Sequence, residues 1–152
     1  MTPSPLRAKV VAQKSAWIKD MLKALRALPL GHLQAFLGDS RNAAAAESYL
    51  RRGLEALFDL GRHVLGKGFG RAVSEYKEIA RALVQEKVLT EEEGQKALKM
   101  AGYRNRLVHY YQEISPEELY QILTQDLTDL EAVLFGILRW IRERPERMDQ
   151  EL

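Results

Sequence analysis

The chain contains no cysteine, which excludes disulfide frameworks, thiol nucleophiles and zinc sites that depend on cysteine. Prolines number only five, and no stretch approaches the ~20 apolar residues of a membrane-spanning helix. The first residues also lack the apolar core of a secretory signal. Together these absences predict a cytoplasmic protein that does not enter a membrane.

What is present suits one packed domain. The sequence has 152 residues, of which 46% are hydrophobic and 29% are charged. A chain of this length buries roughly 70% of its unfolded surface, so it needs no metal or disulfide for stability. We therefore expect a single domain over residues 1–152.

Charge is unevenly distributed along the chain, although the net charge is only +2. Residues 1–30 carry six basic side chains and one acidic side chain, whereas residues 112–152 carry ten acidic side chains and four arginines. The basic end has the charge to contact a polyanion. Solvated helix surface is the simpler interpretation, and we prefer it for most of these charges.

Apolar residues recur at intervals of three and four along most of the chain, and no segment alternates with period two for the length of a strand. The pattern predicts an all-α fold, an antiparallel bundle of about five helices joined by short connections. Capping residues, prolines and glycines mark the helix ends. The predicted helices run from Ser4-Pro5 to Pro29, from Asp39 or Ser40 to the glycines at 66, 68 and 70, over about 71–88, from Thr90 toward Tyr111, and from Ser115-Pro116 to Pro145.

Several of these segments carry more specific expectations. Gly94 and Gly102 weaken the fourth helix, which we expect to be kinked or split. The last helix is predicted to be continuous over roughly 29 residues, or ~44 Å. Residues 30–38 are predicted to form a connector with room for one short helical turn. Because the apolar stripes of the second and last helices are long for so small a chain, we expect a homodimer.

Most catalytic motifs are absent from the sequence. It holds no His-Glu-x-x-His motif, and the glycines at 66, 68 and 70 lack the Lys-Ser/Thr of a phosphate-binding loop. The three histidines, at 32, 63 and 109, lack the clustered spacing of metal ligands. We therefore predict neither a metal site nor a cofactor.

Asp59 and His63 stand four residues apart on the second predicted helix, where their side chains can hydrogen-bond along one face. A local pair half-covered by packing is the simpler interpretation. The functional alternative is a polar group that serves a central cleft.

Residues suited to catalysis concentrate in one octapeptide, Arg104-Asn105-Arg106-Leu107-Val108-His109-Tyr110-Tyr111. In a continuous helix, Asn105 and His109 share one face, and Arg104 and Tyr111 share another. Arg104 and His109 lie about 140° apart around the axis, so a second copy across a dimer axis would complete the pair better. Leu107-Val108 is expected to supply contacts to the core.

An imidazole and a guanidinium in this arrangement favour phosphate chemistry. Neutral imidazole is a base near pH 7, and guanidinium is a permanent cation whose fork matches phosphate oxygens. Without metal ligands or a covalent nucleophile, the pair suits RNA cleavage through the 2′-hydroxyl. His109 would remove the 2′-hydroxyl proton or protonate the leaving oxygen, and Arg104 would stabilise charge on the phosphorane. A hydrogen-bonded helix end without activity is the alternative interpretation.

The arrangement Arg-x-x-x-x-His-x-Tyr, with asparagine directly after the arginine, resembles the signature of HepT-type toxins of the HEPN superfamily. Arg104, His109 and Tyr111 match its three fixed positions, and Asn105 matches the usual next residue. The order of elements over about residues 40–141 is also similar. It comprises a long helix containing Glu-Ala-Leu-Phe-Asp-Leu-Gly-Arg-His-Val-Leu, a middle helix, a short acidic-capped segment, the motif, and Ile-Ser-Pro-Glu-Glu-Leu at the start of the final helix.

The resemblance implies a HEPN-like helical domain that dimerises, with the motifs of both protomers lining one cleft. It implies a metal-independent endoribonuclease toxin of a toxin–antitoxin pair, with Arg104 and His109 as catalytic residues acting on tRNA or mRNA. Its partner would be a MntA-type minimal nucleotidyltransferase antitoxin that transfers AMP from ATP to Tyr111 and so silences the toxin. Asp59 matches a common acidic position of the family, and we expect it and Asn105 to have supporting roles.

Tyr110 departs from the family pattern, because it puts a second phenol beside the motif tyrosine; the motif favours Tyr111 as the modified residue. Two other functions fit the same residues. One is a non-enzymatic subunit that holds a nucleotide or RNA for a nucleotidyltransferase, and the other is a structural bundle without a site. Helix-turn-helix DNA binding fits poorly, since no short helix carries a suitable run of basic and amide residues.

Overall fold

The computed structural model describes residues 2–109 and 113–149. Over these residues the fold is all-α, as predicted, and the single β-type contact among them is an isolated bridge between Leu6 and Met148. None of the described helices combines the length and the apolar content needed to cross a bilayer. The α-helices are α1 (Ala8–Arg26), α2 (Leu33–Leu37), α3 (Ser40–His63), α4 (Tyr76–Gln85), α5 (Glu91–Val108), α6 (Pro116–Gln125) and α7 (Leu127–Arg142).

Helix α3 lies at the centre of the bundle and contacts each of the other six helices. It runs antiparallel to α1, because Met21 of α1 packs beside Gly53 and Lys14 of α1 reaches Asp59. The inward stripe of α3 is fully buried and includes Leu50, Leu54, Leu57 and Leu60. Because burial of one leucine side chain contributes roughly 1.5–3 kcal/mol, this stripe supplies much of the stability of the bundle.

Two predicted helix starts are confirmed at their capping residues. The Asp39 carboxylate accepts a hydrogen bond from the Arg41 backbone N–H at 2.9 Å. The Ser115 hydroxyl accepts one from the Glu118 backbone N–H at 3.1 Å, with proline at the first helical position. These bonds satisfy N–H groups that a helix leaves unpaired at its start. The predicted connector over residues 30–38 contains the short helix α2.

Helix α5 begins with the predicted capping box. The Thr90 hydroxyl accepts from the Glu93 backbone N–H, and the Glu93 carboxylate accepts from the Thr90 backbone N–H. Both terminal nitrogens of Arg139, on α7, also donate to Glu93, at 2.7 and 2.8 Å. The Arg139 guanidinium is the main cause that lowers the pKa of Glu93 to about 2. This ion pair fixes the start of α5 against α7.

The prediction of one continuous final helix is wrong, because Asp126 separates α6 from α7. The Asp126 carboxylate accepts a hydrogen bond from the Tyr103 hydroxyl at 2.6 Å, and Lys99 Nζ lies 3.4 Å from its other oxygen. Burial and this hydrogen bond raise the pKa of Tyr103 above its ordinary value. Asp126 has φ −114° and ψ −2°, and the side chain at this junction is bound to α5, while the apolar periodicity continues on both sides.

Helix α1 begins at Ala8, so the prediction of a start at Ser4-Pro5 is also wrong. The preceding segment is extended and pairs with neighbouring backbone instead. The Ser4 N–H donates to the Lys67 carbonyl at 2.7 Å, and the Leu6 N–H donates to the Arg147 carbonyl at 2.8 Å. These bonds hold the first residues beside two segments, the one that follows α3 and the one that follows α7.

Helix α4 begins at Tyr76, about five residues later than predicted. The Arg62 guanidinium donates to the carbonyl of Val73 at 3.2 Å and to that of Ser74 at 3.0 Å, which keeps this stretch non-helical. The Glu75 side chain then accepts from the Glu78 backbone N–H and caps the helix. As a result, Tyr76 occupies the first position of α4.

Helix α5 is continuous over Glu91–Val108, so it is not split at Gly94 or Gly102. A β-carbon on Gly94 would overlap Cγ2 of Val84, whereas one on Gly102 would meet nothing within 4 Å. Gly94 is therefore required for the close packing of α5 against α4.

We expect Gly94→Ala to lower the free energy of unfolding by about 1–3 kcal/mol, because overpacking forces Val84 or the helix to move. Gly102→Ala is the matched control, and we expect it to raise the free energy of unfolding by about 0.5–1 kcal/mol through helix propensity. Urea denaturation of both variants measures the difference. Equal effects of the two substitutions would contradict the packing argument.

His63, the last residue of α3, binds the segment that precedes α1. Its Nε2 accepts a hydrogen bond from the Arg7 backbone N–H at 3.0 Å. Beside it, the Ala8 backbone N–H donates to the Asp149 carboxylate at 2.9 Å. Burial, together with the positive charges of Lys67 and Arg7, lowers the pKa of His63, and the charge of Asp149 opposes that shift. A protonated Nε2 cannot accept the Arg7 hydrogen bond.

We expect the free energy of unfolding to fall as the pH drops below about 6.5, the ordinary pKa of histidine. The unfolded imidazole takes up its proton there, whereas the folded one stays neutral to lower pH, so acid favours unfolding. His63→Gln keeps an acceptor for Arg7 but does not titrate, and its stability should depend less on pH between 7 and 5. Urea titrations at a series of pH values test this, with His32→Gln as the control that should retain the wild-type dependence.

Candidate functional site

The octapeptide lies at the carboxyl end of α5, and this end is shorter than predicted. The helix stops at Val108, and His109 follows with φ −104° and ψ 97°, an extended conformation. The helical geometry that paired Asn105 with His109 therefore does not continue to the histidine. Tyr110 and Tyr111 lie outside the described residues. Arg104 sits on the helix, and His109 leaves it.

Arg104 is held by two neighbours from other helices. Its Nη2 donates to Glu55 Oε2, on α3, at 3.1 Å. Its Cζ lies 4.1 Å from the centroid of the Tyr76 ring, at the start of α4. The side chain is 23% exposed, and its Nε is buried without a hydrogen-bond partner among the described residues. The guanidinium is thus held by one carboxylate and one aromatic ring, and its buried Nε makes no hydrogen bond within the described residues.

Further charges surround these contacts and form what we call the arginine cluster. Four cations share two carboxylates through ion pairs, and two of the cations, Arg62 and Arg104, also contact the Tyr76 ring. Within these ion pairs, positive charge is in excess. The cations are Lys14, Arg51, Arg62 and Arg104, and the carboxylates are Glu55 and Asp59. A surface of this sign attracts the phosphates of a nucleic acid.

Within the arginine cluster, Asp59 does not form the predicted pair with His63. Its Oδ1 accepts from Arg62 at 2.6 Å and its Oδ2 from Lys14 at 3.2 Å, whereas the imidazole of His63 accepts from the Arg7 backbone N–H. Arg62 in turn lies with its Cζ 5.8 Å from the Tyr76 ring centroid. Asp59 is therefore linked to the support of Arg104 through Arg62, and the prediction of an Asp59–His63 pair is wrong.

The residues that follow Arg104 differ in exposure. Asn105 and Leu107 are partly buried, and His109 is exposed. The predicted core contact of Leu107-Val108 is confirmed for Leu107, which packs against the core. It is wrong for Val108, which is 40% exposed. The exposed surface at this helix end thus carries a histidine and an apolar side chain side by side.

Arg106 anchors the same helix end to α6. Its two terminal nitrogens donate to the Glu118 carboxylate at 2.5 and 2.7 Å. The Arg106 guanidinium lowers the pKa of Glu118, and the carboxylate raises that of Arg106. Over the residues that the structure describes, no group of three histidine, aspartate or glutamate side chains is placed to bind a metal ion.

Sequence reasoning identified Arg104 and His109 but missed the residues that hold Arg104. Glu55 had a weak local signal, because Arg51 stands four residues before it and donates to its Oε1 at 2.9 Å. Tyr76 had none, since its contact with Arg104 joins residues that are far apart in the chain.

Comparison with known proteins gives a family match and several close folds. A family model described as ribonuclease HepT-like matches residues 18–135. The candidate RNase YutE of Bacillus subtilis (strain 168) is 33% identical over 78 residues, which are 51% of this chain and 54% of YutE. The chain thus spans about half the length of this curated relative.

Solved structures agree with the family match. The tri-AMPylated HEPN toxin of Shewanella oneidensis, in complex with an MNT antitoxin, has a TM-score of 0.77 at 24% identity, over 86% of this chain and 97% of that chain. The structure of YutE, described as a cytosolic protein of unknown function, has a TM-score of 0.75 at 22% identity, over 93% of both chains. At these identities the likeness shows the fold, which is that of HEPN toxins.

Proposed function

Because the chain belongs to the HepT-like ribonuclease family, we propose that it is a metal-independent endoribonuclease toxin of a toxin–antitoxin pair. The observation that supports this most directly is the fixed guanidinium of Arg104 on α5, followed after the helix end by the exposed imidazole of His109. The pair offers a phosphate clamp and a base within one short stretch of chain.

In the proposed reaction, the RNA supplies its own nucleophile. The 2′-oxygen attacks the adjacent phosphorus, the bond from phosphorus to the 5′-oxygen breaks, and a 2′,3′-cyclic phosphate forms. His109 accepts the 2′-hydroxyl proton or donates one to the leaving 5′-oxygen. Arg104 stabilises the extra negative charge on the phosphorane. Asn105 and Asp59 have supporting roles, the latter through its bond to Arg62.

Incubation of the purified protein with tRNA or mRNA in the presence of EDTA tests this reaction. We expect fragments with 2′,3′-cyclic ends, and no cleavage where the nucleotide before the scissile bond carries a 2′-deoxyribose. RNA that is bound but stays intact would instead favour a non-enzymatic nucleotide- or RNA-binding subunit that partners a nucleotidyltransferase. RNA that is neither bound nor cut would contradict both functions.

We place the protein in the cytoplasm as a homodimer, in which the motifs of two protomers share one cleft. Exposed apolar side chains support an interface: Val108 next to the motif is 40% exposed, and Phe135 on α7 is 49% exposed. Sedimentation equilibrium tests the dimer, and Val108→Asp is expected to weaken it if the motif end is buried between protomers.

The proposed antitoxin is a MntA-type nucleotidyltransferase that transfers AMP from ATP to Tyr111. The proposal is supported by the Shewanella HEPN toxin, which is AMPylated and in complex with an MNT antitoxin. An adenylylated phenol adds bulk and negative charge close in sequence to Arg104, where substrate phosphate would bind. Intact-mass analysis after co-expression is expected to show AMP additions that Tyr111→Phe removes. Tyr110→Phe is the matched control, and a loss of AMP in that variant alone would reassign the modified residue.

A further inference from the structure

The ring of Tyr76 lies between the core and the catalytic arginine. Its inner side packs on Phe58, with ring centroids 5.2 Å apart and planes inclined by 48°. Phe58 is buried, so it supports the Tyr76 ring on the side of the core. Arg104 Cζ lies 4.1 Å from the ring centroid and Arg62 Cζ lies 5.8 Å from it. One aromatic ring therefore supports two guanidinium groups.

The other contacts of Arg104 are too few to fix the plane of its guanidinium. The bond to Glu55 at 3.1 Å engages Nη2 alone, and a single hydrogen bond leaves the group free to rotate about it. The buried Nε has no partner within the described ranges. A stacked aromatic face restricts that rotation, and cation–π attraction is stronger at partly desolvated sites such as this one.

We propose that Tyr76 is a positioning residue for RNA cleavage, and that its ring sets the orientation of the Arg104 guanidinium toward the substrate phosphate. This inference rests on the function proposed above. It assigns the role to the aromatic face rather than to the hydroxyl, because the contacts with Phe58, Arg62 and Arg104 are all made by the ring.

The test compares Tyr76→Phe, which keeps the ring, with Tyr76→Leu, which removes it. We expect Tyr76→Phe to retain wild-type kcat/KM and Tyr76→Leu to lose about 10-fold to 100-fold, the cost of a misplaced catalytic group. Tyr120→Leu is the matched control, because it removes a partly buried ring elsewhere in the fold. The Tyr120 ring packs on Phe36, with ring centroids 5.7 Å apart.

A double substitution separates positioning from general loss of structure. In an Arg104→Ala background, Tyr76→Leu should cause no further loss of activity, since the ring acts only through the arginine. A further loss as large as that in the wild-type background would overturn the proposal, as would full activity of Tyr76→Leu.

A spectroscopic measurement tests the positioning role of Tyr76 independently of catalysis. We expect NMR of the Arg104 guanidinium to show slow rotation of its terminal nitrogens in the wild type and in Tyr76→Phe, and faster rotation in Tyr76→Leu. If the wild type cleaves no RNA, the proposed function is wrong. Unchanged rotation of the Arg104 nitrogens in Tyr76→Leu would show separately that the ring does not position the arginine.

Discussion

Replacement of His109 by alanine is expected to lower the rate of RNA cleavage by about 10²-fold to 10⁴-fold, the usual contribution of a positioned general acid or base. Imidazole is the side-chain type best suited to proton transfer near neutral pH, and His109 is the one histidine of the octapeptide. With the RNA supplying the nucleophile, its loss leaves Arg104 to bind phosphate without a base to activate the 2′-hydroxyl. Cleavage of a fluorescent RNA under single-turnover conditions measures the effect.

The stability of the His109→Ala variant should stay close to that of the wild type, because His109 is exposed and follows the last residue of α5. Circular dichroism and the urea midpoint check this. His32→Ala is the matched control, since His32 is also exposed and lies outside the site. In cells, expression without the antitoxin should arrest growth for the wild type and His32→Ala but not for His109→Ala. Equal toxicity of all three would show that His109 is not the catalytic base.

Much of the fold could be predicted from sequence because its determinants are local. Apolar periodicity located the helices, and the capping groups of Asp39, Thr90 and Ser115 act on backbone N–H groups two or three residues away. Both partners of such a bond are therefore close together in the sequence and can be recognised from it. These parts of the prediction are confirmed.

The errors arise where a distant residue decides the local backbone. Asp126 ends α6 while bound to Tyr103 on α5, and Arg62 of α3 binds the carbonyls that precede α4. The space beside Gly94 is filled by Val84 of α4, so a residue with low helix propensity serves close packing. None of these partners can be recognised from the spacing of apolar residues.

The candidate site also has some features set by nearby residues and others set by distant ones. Arg104 and His109 lie five residues apart and form a recognisable motif, whereas the support of Arg104 comes from Glu55 and Tyr76 on two other helices. The sequence could therefore predict the residue types for the chemistry but not how the guanidinium is held. The positioning role of Tyr76 depends on that tertiary contact.

Arg104→Lys is expected to lower the rate of RNA cleavage by about 10²-fold to 10³-fold, the range observed when one stabiliser of a developing anion is removed. Lysine keeps a positive charge opposite Glu55, so the variant does not leave that carboxylate without a cation. It loses the planar fork that binds two phosphate oxygens and the stacking on Tyr76. The loss should therefore appear in cleavage more than in stability.

Arg106→Lys is the matched control, because it makes the same change two residues later on α5. Arg106 is bound to Glu118, and lysine keeps a cation opposite that carboxylate, so cleavage should change by less than about fivefold. Single-turnover cleavage and urea denaturation of both variants give the comparison. Equal losses would mean that positive charge at the end of α5 suffices, and that the fixed guanidinium of Arg104 is not a specific phosphate clamp.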